Sequence, residues 1–350
     1  MASNVTETKD LQNLTRKQLL ELERKKKTKL QLWADLIIFF LPFLGGLVAI
    51  LEYKLIPDKG RNANPFVYEW FLYILLAAYA VYSVMSVITL NKGNRDMIDK
   101  QRYRAPLFTA LFLLFAGYDY LTLKTGILTQ PFVPCLNFVA NAFWRERAMI
   151  LECTIHTLYL LFLGYFIGCI LGLITGITCG YSKRCRYWVD PIIKFLGPIP
   201  TSTWIPIIMV VASSLFGGAV FIIALGSWFA TTVASMTGIA HVDKDYFEAA
   251  RTLGATNRQL VFQVAIPHAM PNIFAGLTQA MSSSCTAIMI AEMLGVKSGL
   301  GWYMNWSKSW AAYDSMFAAL FVICIIFTVV TKSLEAVKRH VLRWQIGVEK

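Results

Sequence analysis

Polar side chains interrupt an apolar stretch in the C-terminal third of the chain. One amide and four hydroxyl groups lie close together there: Gln279, Ser282, Ser283, Ser284 and Thr286. Gln279, Ser283 and Thr286 are spaced by four and three residues, so on a helix they share one face. Such groups within an apolar helix either hydrogen-bond to neighbouring helices or line a path for a polar solute. The spacing leaves both interpretations open.

The segment just before this stretch is polar and reads EAARTLGATNRQLVFQVAIP, residues 248–267. Its composition favours two short helices joined at Gly254, because glycine permits a sharp turn at a helix end. Pro267 can occupy the first turn of the following helix. A structured loop of this kind predicts a docking element for another protein.

The side chains of this segment suit a contact with a partner. Ala249 and Ala250 are small, so a short helix carrying them can enter a groove. Glu248 and Arg251 offer charged contacts at the edge of that groove. We therefore expect Glu248, Ala249, Ala250, Arg251, Gly254 and Pro267 to act together.

Motifs for catalysis and for metal binding are missing from the sequence. It contains no GxxxxGK[ST], HExxH or GxSxG pattern, so we expect no ATP site and no catalytic residues in this chain. Its four histidines are dispersed and none of its seven cysteines forms a CxxC pair. We expect it to be neither an enzyme nor a metalloprotein.

The composition indicates the elements that position these residues. Hydrophobic residues make up 56% of the chain, charged residues only 15%, and mean hydropathy is +0.52. Soluble domains carry about 25% charged residues. The sequence therefore predicts an all-α, multi-pass membrane protein. We expect eight spans, at residues 34–51, 67–90, 106–123, 154–180, 190–212, 218–238, 268–291 and 315–333.

The basic residues predict the orientation of these spans. Of the 33 lysines and arginines, 25 fall in the N-terminal tail, in loops 91–105, 181–194 and 239–266, or after residue 331. The positive-inside rule then puts both termini and loop 239–266 in the cytoplasm of a plasma-membrane protein. The net charge of +12 thus reflects topology, and we expect no nucleic-acid partner.

Glycines and prolines mark two of the predicted spans. Gly164, Gly168, Gly172 and Gly176 form a stripe that permits close helix packing, either within the chain or against another subunit. The segment 188–206 contains four prolines, with Thr201 and Thr203 among them. It predicts either a kinked structural helix or a lining of the translocation pathway.

Three further features lie near the predicted membrane surfaces. Residues 1–33 are typical of an amphipathic helix that either lies on the membrane or binds a regulatory partner. Asp119 and Glu292 are predicted near the outer surface, where carboxylates cost little, and a contact with substrate stays open. Trp302, Trp306 and Trp310 recur every four residues, which favours either an interfacial helix or a docking surface for an external partner.

The loop resembles the EAA motif of permease subunits of bacterial ATP-binding-cassette (ABC) importers. The motif has E-A-A, three residues, glycine, nine residues and I-x-L-P; this chain has residues 248–250, Gly254 and then V-A-I-P at 264–267. The flanking sequences resemble the nitrate, sulfonate, taurine and bicarbonate branch. That likeness rests on DP at 190–191, GPIPTSTWIP at 197–206, AEM at 291–293 and GLG at 299–301.

The resemblance covers about residues 105–343 and implies the rest of a transport machine. It implies a type I importer core of six spans at 106–343, two extra helices at 34–105 and a short tail at 344–350. It also implies two ABC ATPases that hold ATP and Mg²⁺, an extracytoplasmic solute-binding protein and a second permease copy. The solute would be small and polar or anionic. A secondary transporter or channel, or a membrane scaffold or sensor, is the alternative from the residues alone.

Overall fold

The computed structural model describes residues 29–60, 62, 64–91, 96–294 and 296–344, and the regular structure within these ranges is all helical. Most of the predicted amphipathic segment, residues 1–28, lies outside the described residues, as does the tail after residue 344. The chain forms two compact units, Met1–Leu128 and Thr129–Lys350. This division differs from the expected boundary at residue 105, since the helix that follows residue 95 belongs to the first unit.

Three long helices make up the described part of the first unit: α1 (Lys29–Leu55), α2 (Phe66–Asn91) and α3 (Asp96–Asp119), which continues as a π-helical turn to Lys124. Gly45 of α1 lies against Thr109 of α3. The hydroxyl of Tyr79 on α2 donates to the carbonyl of Phe39 on α1 at 3.0 Å. Further along, Tyr53 of α1 meets both Lys124, just beyond α3, and Tyr68 of α2, so α1 and α3 are parallel and α2 runs in the opposite direction.

A buried lysine holds one end of this unit together. Lys124 Nζ donates to the carbonyls of Tyr53 (2.8 Å) and Ile56 (2.6 Å) and to Asp58 Oδ1 (2.6 Å). Asp119, one turn earlier on α3, is only 1% exposed. Asp119 is therefore not an accessible carboxylate, although its position near the end of a predicted span suggested one, because its side chain faces the interior of the unit.

The second unit contains the remaining helices. They are α4 (Leu136–Arg145), α5 (Arg147–Tyr181), α6 (Lys183–Leu196), α7 (Ile205–Val211), α8 (Leu215–Ala240), α9 (Lys244–Thr252), α10 (Asn257–Gln259), α11 (Ile266–Leu294), α12 (Leu300–Ser309) and α13 (Tyr313–Val341). A 3-10 turn at Thr201–Trp204 precedes α7, and a π-helical turn at Leu260–Ala265 joins α10 to α11. In this unit α5, α8, α11 and α13 are long and apolar enough to cross a membrane.

The glycine stripe of α5 packs against α8 within the same chain. A Cβ added at Gly168 would lie 2.3 Å from the carbonyl oxygen of Ala224, and one at Gly172 would lie 2.7 Å from Thr231 Cβ. A Cβ added at Gly164 or Gly176 would lie similarly close to atoms of α8. Because lipid supplies no hydrophobic drive between helices, close van der Waals contact of this kind stabilises the pair.

The register of this contact fixes the path of the chain. Gly164 faces Ile223, and further along both helices Gly176 faces Ser235, so α5 and α8 are parallel. Two parallel spans require the connection between them, residues 182–214, to return across the membrane. That crossing follows α8 backwards, with Ile193 packed against Met236.

The returning crossing is interrupted, which corrects the predicted span at 190–212. The described residues contain seven helices that can span a membrane, and this segment is not among them. It consists instead of the end of α6, the 3-10 turn and the seven-residue α7, and the return along α8 begins at about Ile193. Pro198 and Pro200 lie at the interruption, where each removes a backbone donor, whereas Pro191 lies inside α6 and Pro206 lies in the first turn of α7.

The two ends of the second unit differ in charge. We call the end where α5 and α8 finish and α10 begins the loop end. Because α11 runs antiparallel to α8, with Gly276 against Ala234 and Ser284 against Ser227, its far end lies opposite. Basic residues concentrate at the loop end: Lys183, Arg184, Arg186, Lys194, Lys244, Arg251, Arg258, Lys332, Lys338, Arg339 and Arg343. The opposite end carries Arg145, Arg147, Lys297 and Lys308.

Candidate functional site

The loop that connects α8 to α11 presents α9 to solvent. Glu248, Ala249 and Arg251 are exposed and Ala250 is half-buried. On the inward face of α9, Phe247 packs with Ile266 against a cluster of buried apolar residues. The centroid of its ring lies 6.2 Å from that of Tyr181. The loop is thus fixed to the ends of the spans on one side and open on the other.

Gly254 ends α9 in a left-handed conformation, with φ of +83°. The N–H of Ala255 donates to the carbonyl of Ala250 at 3.0 Å, and the N–H of Gly254 donates to that of Arg251 at 2.9 Å. This pair of bonds is the Schellman arrangement that closes a helix C-terminus. An added Cβ would meet no atom within 4 Å, so the backbone angle is what requires glycine here.

The chain re-enters a helix directly after this turn. Thr256 caps α10 through a reciprocal pair of bonds with Gln259. From there the helix continues through the π-helical turn into α11 without a break, as one apolar segment from Asn257 to Met293. Pro267 lies in the first turn of α11, although the helical path already begins at Asn257. The π turn precedes it, where a proline without an N–H interrupts the regular bond pattern.

Large apolar side chains surround the charged residues of the loop. Leu253 is 89% exposed, Phe262 68% and Tyr246 57%. Exposed apolar groups next to Glu248 and Arg251 give the mixed composition of a protein contact, with an apolar centre and a charged rim. The loop is therefore a candidate docking surface, and it is joined directly to α11.

The polar residues of α11 divide between two faces. Gln279, Ser282 and Thr286 are exposed and Ser283 is half-buried. Ser284 is buried, and its hydroxyl lies 2.7 Å from that of Ser227 on α8. The patch therefore supplies both a helix–helix hydrogen bond and a polar surface.

The exposed polar face extends further than the sequence analysis recognised. Asn272 and Ala275 are also exposed, so they join Gln279, Ser282 and Thr286 in one stripe along α11. The seven-residue interval between Asn272 and Gln279 indicates this extension, because residues seven apart lie on the same face of a helix. Because polar side chains in a span face protein or water, this stripe is a candidate lining of a pathway. We call it the polar stripe.

The interrupted crossing comes close to the polar stripe. Ile205 packs against Ile222 and Ala287, and the 3-10 turn before it contacts both α8 and α11. Thr203 in that turn is exposed and Thr201 is half-buried. Backbone outside regular helix at membrane depth occurs where it is buried in protein or lines a watery cavity.

Glu292 is a buried structural group, which corrects the expectation of an accessible outer carboxylate. It is 1% exposed and accepts hydrogen bonds from Thr157 Oγ1 (2.9 Å) and from the N–H of Gly301 (2.8 Å). The same Thr157 hydroxyl accepts from the N–H of Leu300 at 2.9 Å. Glu292 and Thr157 thus satisfy the first N–H groups of α12 and tie α5 to α11.

A second carboxylate, Glu146, joins α12 and α13 at the end of this unit opposite the loop end. It accepts hydrogen bonds from Tyr303 and Ser315 and pairs with Arg145 at 2.6 Å. Partial burial opposes its ionisation, but the bonds from Tyr303, Arg145 and Ser315 outweigh that effect and lower the pKa of Glu146. Burial, together with the bond to Glu146, raises the pKa of Tyr303.

The three tryptophans form a continuous aromatic row beside this cluster. Trp302 stacks on Trp306 with ring centroids 6.1 Å apart, and Trp306 lies 6.4 Å from Trp310. Trp310 is 72% exposed and Trp306 is 43% exposed. Among the described residues, no group of three or more histidine, cysteine, aspartate or glutamate side chains is arranged to hold a metal ion.

Residues 168–345, about half of the chain, match the family described as the binding-protein-dependent transport system inner membrane component. The chain belongs to this family. The matched region contains the loop, the interrupted crossing and the polar stripe. The resemblance to ABC importer permeases that the EAA-like loop indicated is thus confirmed.

Individual members of the binding-protein-dependent transport family show the same relationship. The bicarbonate transport system permease protein of Synechococcus elongatus is 28% identical over 163 residues, 47% of this chain and 56% of that protein. The putative aliphatic sulfonates transport permease protein of Bacillus subtilis is 27% identical, over 55% of this chain and 70% of that protein. The nitrate import permease protein of S. elongatus is 26% identical, over 53% of this chain and 67% of that protein. The alignment thus spans little more than half the length of the bicarbonate relative.

Solved structures of ABC transporters were also found. A methionine ABC transporter in inward-facing conformations has a TM-score of 0.49 at 20% identity, covering 56% of this chain and 98% of that chain. An amino acid ABC transporter has a TM-score of 0.48 at 22% identity, covering 58% of this chain and 97% of that chain.

Proposed function

We propose that this chain is the transmembrane permease subunit of an ATP-driven ABC importer. One observation carries the proposal: the exposed loop, closed by Gly254, continues as a single helix into the span that bears the polar stripe. A push on α9 would therefore reach Gln279, Ser282 and Thr286 through rigid helix. Rigid-body movement of that kind would alternate access to the pathway between the two sides.

We infer that the partner at the loop is a cytoplasmic ABC ATPase. The loop end carries most of the basic residues of the second unit, which supports a cytoplasmic position under the positive-inside rule. Exposed Leu253 and Phe262 would supply the apolar part of the contact, while Glu248 and Arg251 would form its rim. ATP and Mg²⁺ would be held by that partner, which would exist in two copies, and this chain would not itself be an enzyme.

We further infer that a second copy of the permease completes the pathway. The polar stripe is exposed on a single chain, although amides and hydroxyls are costly against lipid. A facing copy would enclose the stripe, and Thr201 and Thr203 would lie near it. An extracytoplasmic solute-binding protein would deliver the solute to the opposite end, where the row Trp302, Trp306 and Trp310 is available as a contact.

The solute we propose is a small polar or anionic molecule. The relatives named for bicarbonate, nitrate and aliphatic sulfonates support anions as the first candidates. The stripe itself offers hydroxyl and amide groups, which suit hydrogen bonding to oxygen atoms of such a solute. These groups favour no narrower choice.

The coupling at Gly254 provides the test. The assembled complex, purified through a tag on this chain, would be reconstituted in vesicles, and ATP hydrolysis and solute uptake would be measured together. Gly254→Val should assemble but lose coupled uptake, because a β-branched residue is strained at φ of +83°. Gly254→Asn is the matched control, since asparagine tolerates that angle, and it should keep most of the uptake.

Two results would contradict the proposal. One is normal coupled uptake in Gly254→Val. The other is purification of the chain without any ATPase under conditions where uptake persists, which would favour a secondary transporter or channel. Separately, Gln279→Leu should reduce uptake while leaving ATPase binding intact, because it changes the polar stripe and not the loop.

A further inference from the structure

The helix α6 lies along the membrane surface at the loop end. It begins two residues after α5 finishes at Tyr181, and its Ile193 packs against Cys179 and Met236. The ten residues from Lys183 to Ile193 advance about 15 Å along a helix axis. Ile193 nevertheless contacts Cys179, which lies only two residues before the end of α5. The end of α6 is therefore at nearly the same depth in the membrane as its start. Most of α6 therefore runs parallel to the membrane plane before the chain turns inward.

The outer surface of α6 is apolar and aromatic. Tyr187 is 72% exposed, Trp188 74%, Ile192 51% and Phe195 69%. These residues follow one another at intervals of one, four and three positions, so they lie on one face of the helix. Tyrosine and tryptophan favour the level of the lipid headgroups, where an apolar ring and a polar edge are both accommodated.

Cations accompany this apolar face. Lys183, Arg184 and Arg186 are exposed, and no carboxylate among the described residues forms an ion pair with them. The remaining cation of the helix, Lys194, pairs with Asp190 at 2.7 Å. Asp190 also attracts Arg186 over a longer distance, so the start of α6 carries three cations against one carboxylate that is already paired with Lys194.

The two kinds of side chain meet in an open cleft of about 740 Å³. Its polar lining comes from Lys183, Arg186 and Asp190, and its apolar lining comes mainly from Tyr187, Trp188 and Ile192. A ligand that fits this lining needs an anionic group and an apolar body. A phospholipid with an acidic headgroup has both.

We propose that the cleft on α6 binds an anionic phospholipid of the adjoining leaflet. Lys183 and Arg186 receive the headgroup phosphate, and the acyl chains lie along Trp188 and Ile192. This site is separate from the loop and the polar stripe, and it does not depend on which solute is carried.

Charge argues for lipid over a second copy of the chain as the occupant. A symmetric contact through α6 would bring two sets of Lys183, Arg184 and Arg186 together, and like charges at an interface oppose association. The cytoplasmic leaflet supplies the opposite charge.

The experiment is native mass spectrometry of the full chain in detergent, titrated with phosphatidylglycerol or with phosphatidylcholine of the same acyl chains. Wild type should retain phosphatidylglycerol preferentially. The double variant Lys183→Gln/Arg186→Gln should bind it about 30-fold more weakly, since each cation near an anionic surface contributes about 1 kcal/mol. Trp188→Ala should weaken both lipids. Lys297→Gln/Lys308→Gln, at the opposite end, is the matched control and should bind as wild type does.

Three outcomes would overturn the proposal. The first is retention of the two lipids in equal amounts by wild type. The second is a phosphatidylglycerol preference that survives in Lys183→Gln/Arg186→Gln. The third is loss of lipid in that variant accompanied by a change from dimer to monomer in the same spectra, which would make a second copy the occupant. Because all five side chains changed on α6 and in the control pair are exposed, misfolding does not obscure the comparison.

Discussion

Replacing Glu292 should release α12 from the ends of α5 and α11. The buried carboxylate accepts from Thr157 Oγ1 at 2.9 Å and from the N–H of Gly301 at 2.8 Å. Hydrogen bonds to charged groups contribute about 1.5–3 kcal/mol each, so the two together give about 3–6 kcal/mol. Desolvation of the carboxylate offsets part of this gain. We expect Glu292→Leu to cost about 3 kcal/mol, and Glu292→Gln, which keeps one acceptor, about half as much.

The assay is thermal unfolding of the purified chain in detergent, followed by tryptophan fluorescence. At about 2–4 °C per kcal/mol for a unit of this size, Glu292→Leu should lower Tm by about 6–12 °C and Glu292→Gln by about 3–6 °C. Hydrogen exchange at the start of α12 should rise in Glu292→Leu, because the N–H of Gly301 loses its acceptor, and should rise less in Glu292→Gln.

Glu152 provides the matched control. It lies on α5 at the same end and is exposed, so Glu152→Leu should change Tm by no more than about 1 °C. The reasoning is refuted if Glu292→Leu melts within 1 °C of wild type, or if α12 exchanges no faster while Tm falls.

Three other predictions follow from single contacts. Gly168→Ala should destabilise the second unit by about 1–3 kcal/mol, because its Cβ would lie 2.3 Å from the Ala224 carbonyl, whereas Gly117→Ala, with nothing within 4 Å, should not. Chemical denaturation of both variants checks this, and equal stability would contradict it. The folded-state pKa of Glu146 is lowered, so its contribution to stability is present above its ordinary value of 4.5 and is lost as pH falls through the folded pKa. Glu146→Gln should therefore flatten the acid side of a Tm–pH profile, and an unchanged profile would count against the cluster. Lys124→Met should destabilise the first unit by about 3–5 kcal/mol, because three acceptors, one of them the Asp58 carboxylate, lose a buried donor. The exposed Lys59→Met is the control, and equal effects of the two variants on denaturation would exclude this role of Lys124.

Much of the architecture could be predicted from sequence because lipid imposes simple rules. A long apolar run such as 154–180 has to be helical, since lipid leaves no other partner for backbone polar groups. The turn at Gly254 followed from residue type, because few other residues adopt a left-handed backbone at a helix end. The EAA-like spacing around it led to the family that the chain matches.

The errors share one cause, which is that burial depends on neighbours distant in sequence. Glu292 and Asp119 look like surface carboxylates from their positions near span ends. Thr157 and Gly301 bury the first, and the packing of α1 with α3 buries the second. Neither set of neighbours can be recognised from local spacing.

The sequence by itself determined the helical class, the polar patch and the position of the loop, since each depends on local composition and spacing. Only the tertiary structure decided that residues 182–214 must return across the membrane, because this required the parallel register of Gly164 and Gly176 against α8. It also separated Ser284, bonded to Ser227, from the exposed Gln279, Ser282 and Thr286. The physical reason is that local sequence does not distinguish between several similar faces of a helix. Only the neighbouring helices determine which face is buried.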